Sequence, residues 1–343
     1  MQLSPKPLQL AAYALLAVAV GCRSNHSMLR SPASRQATDI EWLYWVIFWI
    51  CLVVFVLTLT FFAQASKKSV IEDEEMAPVL KEDEAANHRA GIAVGIASGI
   101  TAATLIVVLT LSVLTGKSVA GLRSKNPVTV EVIGHQWWWE IHYPNAQADL
   151  TVVTANELHV PIGVPIVVLT GSRDVIHSFW LPNVTGKRDL LPGYQSAFSF
   201  QVDRAGIYHG QCAEFCGEQH AHMGFEMVAE SQQDFDHWLD QQRKPSIEPK
   251  DPETLRGREV FLTHACVLCH TIRGTDAGSK VGPDLTHLAM RRMIAATTLS
   301  NAPGSLAGWI SDPQRVKPGV RMPANPLEPD DLQALIAYLR ILE

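Results

Sequence analysis

The sequence is poor in cysteine, in charge and in clustered basic residues, and each shortage excludes a class of protein. Its 343 residues contain only six cysteines, too few for a scaffold held together by disulfides. Charged residues make up 18% of the chain, the formal net charge is -6, and no long Lys/Arg cluster occurs. A nucleic-acid partner bound through a basic face is therefore excluded. Hydrophobic residues, at 47%, are numerous enough to build sizeable cores, which excludes a disordered chain.

The first 21 residues have the pattern of a secretory signal peptide. One lysine, Lys6, precedes an uncharged apolar stretch from Leu8 to Val20. Small residues end the stretch before Cys22, which predicts removal of residues 1–21 and attachment of lipid to Cys22. An ordinary signal peptide or an uncleaved anchor is the alternative.

Two long apolar runs predict transmembrane helices over residues 41–63 and 90–115. The runs contain 21 and 25 consecutive residues without a charge, and each can cross roughly 30 Å of hydrocarbon as a helix. Residues 22–40 precede the first helix, and residues 64–89 connect the two. If the C-terminal part of the chain lies outside the cytoplasm, the connection is a cytoplasmic loop and residues 22–40 are extracytoplasmic.

The pattern changes after the second apolar run. Short β-rich runs, separated by turn pairs such as Pro144-Asn145, predict a β-sandwich or barrel over residues 123–240. A charged, proline-containing segment over residues 241–252 predicts a flexible linker, with a reach of roughly 20 Å. Helical spacing of apolar residues near the C-terminus predicts an all-α domain over residues 253–343.

The densest group of potential metal ligands lies between residues 212 and 223. Cys212 and Cys216 are followed there by His220 and Met223, and His177 lies upstream. Two thiolates, imidazoles and a thioether are soft ligands that suit copper. Two sulfurs so close together can each bridge a pair of copper ions, which leaves one imidazole for each metal.

Weak axial ligands for such a pair are the Met223 thioether and the backbone carbonyl of Glu214. No open coordination position or general base is implied, so the pattern predicts one-electron transfer rather than bond-making. Zinc and a disulfide between Cys212 and Cys216 are the alternatives. A structural zinc site fits the remote His177 poorly, and a disulfide leaves the nearby His and Met without a use.

These residues lie in a chain that resembles cytochrome c oxidase subunit 2 from Trp42 to about Asp240. The resemblance implies a cupredoxin fold after the two-helix hairpin. Besides the hairpin, it is carried by Gly134-His-Gln-Trp137-Trp-Trp139, Asp174-Val-Ile-His177-Ser-Phe-Trp, Asp189-Leu-Leu-Pro-Gly193 and Gly210-Gln-Cys212-Ala-Glu-Phe-Cys216-Gly.

The same resemblance implies roles for individual residues. The Glu214 side chain is expected to help hold a magnesium ion at the boundary with subunit 1, and Trp137 is expected to be where electrons enter from cytochrome c. Trp137 to Trp139 also fit a buried strand, in which Trp137 and Trp139 share one face and Trp138 lies on the other. The implied copper ligands are His177, Cys212, Glu214, Cys216, His220 and Met223.

Two positions depart from the family. Many relatives have a glutamate near the start of the second span that opens a proton route into subunit 1, but residues 87–91 contain none. The residue at that entrance therefore cannot be assigned. Tyr194 stands where relatives often have arginine, so a polar contact to subunit 1 is expected to be lost.

A second motif, Cys266-Val-Leu-Cys269-His270, is the attachment signature of c-type haem. Two thioether bonds would fix the porphyrin, and His270 would be the proximal iron ligand. The order of motifs resembles class I cytochrome c over residues 253–343. His287, outside the motif, is expected at the surface.

The resemblance to class I cytochrome c implies Met322 as the sixth ligand of the iron. A thioether opposite His270 raises the reduction potential, which suits an electron carrier. Met290 and Met293 are alternatives, but they lie in a predicted helix and have no flanking proline. The family also implies that the carbonyl of Pro283 accepts the ring proton of His270.

Together, the motifs predict subunit 2 of a caa-type cytochrome c oxidase. Electrons would pass from haem c through the copper pair to haem a of subunit 1, where oxygen is reduced and protons are pumped. The implied partners are membrane lipid, subunits 1 and 3, and an electron donor, either a cytochrome c or the upstream quinol-oxidising complex. The implied location is a bacterial cytoplasmic membrane, with both globular domains on the periplasmic side.

Two other functions remain open. An electron-input subunit of a nitric oxide reductase would share the copper module but serve another catalytic partner. A free-standing, membrane-tethered electron carrier would have no enzyme partner. A quinol oxidase subunit is disfavoured because such relatives lack the copper cysteine pair.

Overall fold

The structure is a computed structural model that describes residues 31–68, 84–120 and 126–343. The predicted signal peptide, the lipidation site Cys22 and most of the predicted cytoplasmic loop lie outside the described residues. The described residues divide into two compact units, one within Gln36–Arg123 and one within Met1–Arg35 and Ser124–Glu343.

The first unit consists of two long helices, α1 (Arg35–Lys68) and α2 (Glu84–Ala120). Both are long and apolar enough to cross a membrane, and their apolar side chains are largely exposed. The hydroxyls inside them, such as that of Thr58, donate to carbonyls four residues earlier, so these polar groups are satisfied within the helix. The helices lie where the two apolar runs predicted them and extend beyond both ends of each run.

The second unit begins with a β-sandwich, as the sequence predicted. Two five-stranded sheets face each other, in the orders β3-β2-β1-β5-β8 and β4-β10-β9-β6-β7. The strands β1 to β10 are Val128–His135, Trp138–Tyr143, Val152–Ala155, Glu157–Pro161, Pro165–Ser172, His177–Trp180, Arg188–Leu190, Ser196–Gln201, Gly206–Cys212 and Gly224–Glu230.

Alternation of side chains explains the sandwich core. In β5, Ile166, Val168 and Thr170 are buried while their neighbours are only partly covered, because successive residues of a strand face opposite sides. In β2, Trp139 is buried in the same way.

The tryptophan cluster departs from the predicted strand by one residue. Strand β2 begins at Trp138, so Trp137 lies in the turn after β1. Trp137 and Trp139 are buried, and Trp138 is partly exposed, stacked on His135 with ring centroids 4.3 Å apart. The prediction that Trp137 and Trp139 share one strand face does not apply to Trp137, because it lies outside the strand.

Helix α3 (Gln232–Gln242) completes the sandwich domain, which spans residues 126–242. The Ser231 side chain caps it by accepting from the backbone N–H of Asp234, and Phe235 and Trp238 pack into the sandwich core. The predicted linker therefore starts inside a helix, and only residues 243–251 connect the two domains.

The C-terminal domain, residues 252–343, is mainly helical, as predicted, apart from the two-residue strands β11 (Met293–Ile294) and β12 (Leu299–Ser300). Gly257 allows helix Pro252–Thr263 to cross helix Pro329–Leu339 closely, because a Cβ there would overlap the Ala334 carbonyl oxygen. The helices α4 to α7 are Pro252–Thr263, Pro303–Ser311, Pro313–Val316 and Pro329–Leu339.

Candidate metal centre and haem cavity

Three neighbouring strands of one sheet bring the predicted copper ligands together. His177 is the first residue of β6, Cys212 is the last residue of β9, and Met223 directly precedes β10. Because β9 pairs with both β6 and β10, these positions meet at one end of the sheet. The loop from residue 212 to 223, called the copper loop below, supplies the remaining donors.

The six predicted donors form two adjoining sets. The Cys212 Sγ lies 3.9 Å from Nδ1 of His177 and 3.2 Å from the Glu214 carbonyl oxygen. The Cys216 Sγ lies 3.6 Å from Nδ1 of His220 and 3.8 Å from Sδ of Met223.

The two sulfurs are 3.8 Å apart. Each thiol thus has its own imidazole and its own weak donor, which is the arrangement that two bridged copper ions need. His177, Cys212 and Cys216 are all buried.

The cysteine pair is electrostatically asymmetric. The hydrogen bond between the two thiols lowers the pKa of Cys212, and His177 adds to this effect. The same contact, together with burial, raises the pKa of the Cys216 thiol. Because metal binds to thiolates, loading of this site would release protons.

Asp174 orients the remote histidine. Its Oδ1 lies 2.9 Å from Nε2 of His177, and its Oδ2 accepts the backbone N–H of Gln136 at 2.7 Å. Burial acts against the charge of Asp174, but these hydrogen bonds keep its pKa lowered. The contact leaves Nδ1 of His177 facing the sulfur, the role that an outer-shell carboxylate plays for a metal-bound imidazole.

A glycine makes room for this histidine. A Cβ on Gly134 would lie 2.6 Å from Cδ2 of His177. The glycine in the Gly134-His-Gln-Trp137 motif therefore serves the metal centre across the sandwich.

The predicted haem ligands line one cavity of about 310 Å³ in the C-terminal domain, within the size range of cofactor sites. Cys266, Cys269, His270 and Met322 all contribute to its wall. The Nδ1 of His270 lies 2.8 Å from the Pro283 carbonyl oxygen, the contact implied by the resemblance to cytochrome c. Burial lowers the pKa of His270, which favours the neutral imidazole that binds iron.

The three candidate methionines differ in position. Met322 and Met293 line the cavity, whereas Met290 does not and is 39% exposed. Met293 lies in β11, so its predicted placement in a helix is wrong. Gln314 fixes the Met322 loop, residues 317–323, because its Nε2 donates to the Met322 carbonyl at 3.0 Å.

The sandwich domain closes part of the haem cavity, which sequence reasoning did not foresee. Six of its residues line the cavity: four are the β1–β2 turn with the strand residue on each side of it, and two are the end of β3 and the residue after it. One of them, Trp137, also donates its indole Nε1–H to the Cys216 carbonyl at 2.9 Å. The six residues are His135, Gln136, Trp137, Trp138, Ala155 and Asn156.

Lys317 joins the two domains beside this wall. Its Nζ donates to the carbonyl oxygens of Trp137 at 2.9 Å and of Ala295 at 3.3 Å. Burial lowers the pKa of Lys317 to about 7, and the nearby Cys216 opposes that shift. No local sequence pattern marks this residue.

Comparisons with known proteins agree with the two-domain architecture. The family model of the cytochrome c oxidase subunit II periplasmic domain matches residues 146–231, and the cytochrome c model matches residues 254–343. Cytochrome c oxidase subunit 2 of Alkalihalophilus pseudofirmus (strain OF4) is 35% identical over 246 residues, which are 70% of each chain. The chain belongs to the cytochrome c oxidase subunit 2 family. The subunit 2 of Bacillus sp. (strain PS3) is 32% identical and is matched over 64% of each chain.

A solved structure of a subunit 2 domain also matches. It is the crystal structure of the periplasmic domain of subunit II of cytochrome oxidase from Bradyrhizobium japonicum, 28% identical, with a TM-score of 0.33. The match covers 36% of this chain and 97% of that structure.

As a cytochrome c oxidase subunit 2, the chain is part of an enzyme and takes part in its electron transfer. The family match implies a copper site in the sandwich domain, and the cytochrome c match implies haem c in the C-terminal domain. The two apolar helices and the periplasmic-domain match indicate a membrane-anchored protein with periplasmic domains.

The predicted position of His287 in this subunit 2 is wrong. His287, expected at the surface, is buried, and its Nε2 lies 3.1 Å from the Lys244 carbonyl oxygen and from a guanidinium nitrogen of Arg273. Burial lowers the pKa of His287. It packs where the connecting segment meets the C-terminal domain, a long-range contact that its local sequence does not reveal.

Proposed function

We propose that the chain is subunit 2 of a caa-type cytochrome c oxidase and passes electrons from haem c, through a dinuclear copper centre, to haem a of subunit 1. There oxygen would be reduced and protons pumped. The observation that supports this path best is the position of Trp137, which lines the haem cavity and donates a hydrogen bond to the copper loop at Cys216.

The donor chemistry supports the cofactors of this proposal. Two thiols, two imidazole nitrogens, a thioether and a carbonyl meet in one buried cluster and fit a copper pair. Cys266 and Cys269 would bind the haem covalently, with His270 and Met322 as its axial ligands. When bound, both groups supply one-electron redox chemistry.

The protein's own contribution is to position and insulate these groups. Asp174 holds the His177 ring, and the Pro283 carbonyl holds that of His270. Trp137 is 9% exposed and separates the haem cavity from the copper loop, so an electron could cross between them through protein rather than solvent.

The surface around the copper loop supports a protein partner. Phe215 is 75% exposed, and the neighbouring loops also expose large apolar side chains. We assign this surface to subunit 1, with the exposed Glu214 side chain sharing a magnesium ion at the boundary. The apolar side chains concerned are Val175, Ile176, Leu191, Tyr194 and Phe215.

The proposal extends to topology and further partners. Copper loading and haem attachment would place both globular domains on the outer side of a bacterial cytoplasmic membrane, with residues 64–89 inside. Residues 1–21 would be removed as a signal peptide, and Cys22 would carry lipid. Subunit 3 would complete the complex, and a cytochrome c or a quinol-oxidising complex would reduce the C-terminal domain.

The test is a cysteine substitution in the full complex. Cys216→Ser should abolish the near-infrared copper band and stop oxidation of the haem by the copper site, because it would remove one of the two sulfurs that would hold the copper pair. The haem spectrum should persist, since the haem cavity contains no part of that side chain.

Cys51→Ser is the matched control, because Cys51 is an exposed cysteine in α1. It should keep the copper band, the haem spectrum and oxygen uptake. A Cys216→Ser complex that retains the copper band would refute the ligand assignment. A wild-type complex that binds copper and haem but turns over nitric oxide and not oxygen would refute the oxidase assignment.

A further inference from the structure

Lys317 is an unusual interior residue. It is 2% exposed, and in the described part of the chain its amino group has two carbonyl partners and no carboxylate. Burying an amino group is unfavourable unless hydrogen bonds compensate for the lost water. The two hydrogen bonds therefore have to compensate for the loss of water around the Lys317 amino group.

The two carbonyls belong to different domains. Trp137 is in the sandwich domain, 180 residues away in sequence, and Ala295 is in the C-terminal domain. Lys317 thus ties the residue that separates the two redox sites to the domain that would hold the haem. The side chain of the same Trp137 bonds the copper loop through the Cys216 carbonyl.

Lys317 also begins the loop that carries the proposed iron ligand. Gln314 stiffens this loop from within: its Nε2 donates to the carbonyls of Val320 and Met322, and its Oε1 accepts the N–H of Gly319. A displacement at Lys317 would therefore be passed to Met322.

Further contacts close the same interface. The N–H of Gly224 donates to the Ala296 carbonyl at 3.1 Å, and Nε2 of Gln219 donates to the Pro318 carbonyl at 2.8 Å. A Cβ on Gly319 would lie 2.9 Å from Oε2 of Glu218, in the copper loop. One backbone hydrogen bond and two side chains of the copper loop thus bring the two domains into close contact around Lys317.

The segment facing Lys317 has an unusual backbone. Ala295, Ala296 and Thr297 have φ angles of 52°, 54° and 62°, which residues with a side chain seldom adopt. This conformation presents the Ala295 carbonyl to Lys317 and the Ala296 carbonyl to Gly224. Such a backbone persists only where surrounding contacts hold it in place.

We propose that Lys317 is a positioning residue that locks the C-terminal domain onto the sandwich domain, so that electrons cross through Trp137 in one fixed geometry without domain movement. This role rests on the proposed function, because it concerns the step from haem to copper. Without the lock, residues 243–251 would act as a tether, and transfer would wait for the domains to meet.

In the wild-type complex, solvent viscosity distinguishes electron transfer across a locked interface from electron transfer that is limited by domain movement. Haem c is reduced rapidly under anaerobic conditions, and reduction of the copper is followed in buffers of increasing sucrose content. A locked interface predicts a rate that does not depend on viscosity, and a rate that falls in proportion to viscosity would overturn the proposal.

The variant pair is Lys317→Met and, as control, Lys250→Met. Lys250 is an exposed lysine in the connecting segment. Lys317→Met keeps the length of the side chain but leaves two carbonyls unpaired, which should lower the equilibrium constant for docking of the two domains about tenfold or more. Transfer should then become slower and viscosity-dependent in Lys317→Met, and should be unchanged in Lys250→Met.

Two spectra show whether slower transfer in Lys317→Met comes from loss of docking or from damage to a cofactor site. The haem optical spectrum and the near-infrared copper band should be retained in Lys317→Met, since Lys317 is not among the proposed ligands. Transfer in Lys317→Met that matches Lys250→Met in rate and viscosity dependence would overturn the proposal. Loaded wild-type protein that shows no haem-to-copper transfer would overturn the proposed function itself.

A second measurement remains decisive if Lys317→Met fails to take up haem. A specific protease site is inserted after Lys250 in the otherwise wild-type chain and cut in the assembled complex. The locked interface predicts that the C-terminal domain stays bound to the complex after cleavage and continues to reduce the copper. Release of the domain on cutting would overturn the proposal.

Discussion

In the sandwich domain the candidate metal donors already touch one another, whereas in the C-terminal domain the candidate haem ligands stand around a cavity. The donor pairs at the copper loop are 3.2–3.9 Å apart because strand ends bring them together. The haem ligands surround about 310 Å³ that the protein alone does not fill. The sandwich thus forms its site by folding, while the C-terminal domain needs its cofactor as part of its core.

The largest effect expected from this difference concerns the haem anchors. A double change of Cys266→Ser and Cys269→Ser should prevent covalent haem attachment. A persistent cavity of this size would cost roughly 7 kcal/mol, comparable with the whole stability of a small domain. The C-terminal domain should therefore unfold, which haem staining of denaturing gels and limited proteolysis would show.

The sandwich domain should stay folded when it loses its metal. The double change Cys212→Ser and Cys216→Ser should remove copper but leave the sandwich resistant to protease, because most side chains of its core belong to the strands and not to the copper loop. If the haem-free C-terminal domain proves as resistant as the copper-free sandwich, the contrast between the two sites is wrong.

A smaller effect tests which methionine completes the haem site. Met322→Leu should remove the axial thioether and lower the reduction potential by on the order of 0.1 V, within the range of about 0.8 V that axial ligands span. Met293→Leu is the matched control, because Met293 lines the same cavity. Redox titration followed by absorbance would measure both, and a potential that falls only in Met293→Leu would reverse the assignment.

The smallest expected effect is a difference between the two domains in how their stability depends on pH. In the sandwich, His159 lies between Glu157 and Glu230, at 3.0 and 2.7 Å. Burial opposes its charge, but the two carboxylates raise its pKa above 6.5. The stabilisation from this cluster is complete below pH 6.5 and should be lost as the pH rises through the raised pKa.

The stability of the C-terminal domain should change with pH in the opposite direction. Burial lowers the pKa of His287, so its contribution should be lost as the pH falls below 6.5 toward the lowered value. The measurement is thermal unfolding of each domain between about pH 5 and 8, with His159→Gln and His287→Gln as variants. Each variant should flatten only its own domain's slope, and parallel slopes in both domains would contradict these assignments.

Both candidate sites could be proposed from the sequence because most of their proposed ligands are close together in it. Cys212, Cys216, His220 and Met223 lie within one loop, and the haem motif fits within five residues, so their spacing indicates the chemistry. Met322 lies outside the motif, and its assignment came from the resemblance to class I cytochrome c. The long apolar runs and the alternating strands predicted the helices and the sandwich for the same local reason.

Features that depend on distant contacts were not predictable. Asp174 meets the backbone of Gln136 across 38 residues, and Lys317 meets Trp137 across 180. The cavity wall contributed by the sandwich and the burial of His287 likewise arise from packing between segments. No periodicity or sequence motif predicts such contacts, because they depend on how the helices, strands and loops pack against one another in the folded chain.

Burial of Trp137 under the C-terminal domain determines how electrons from outside can be supplied. Only 9% of this residue is exposed, so on the proposed function a soluble carrier would have no direct access to it and would deliver its electron to the haem first. The haem and the copper pair would then be reduced one after the other, and not independently. Substitutions that alter the affinity for an external donor should map to the C-terminal domain, and the sandwich surface should be indifferent to the donor's identity.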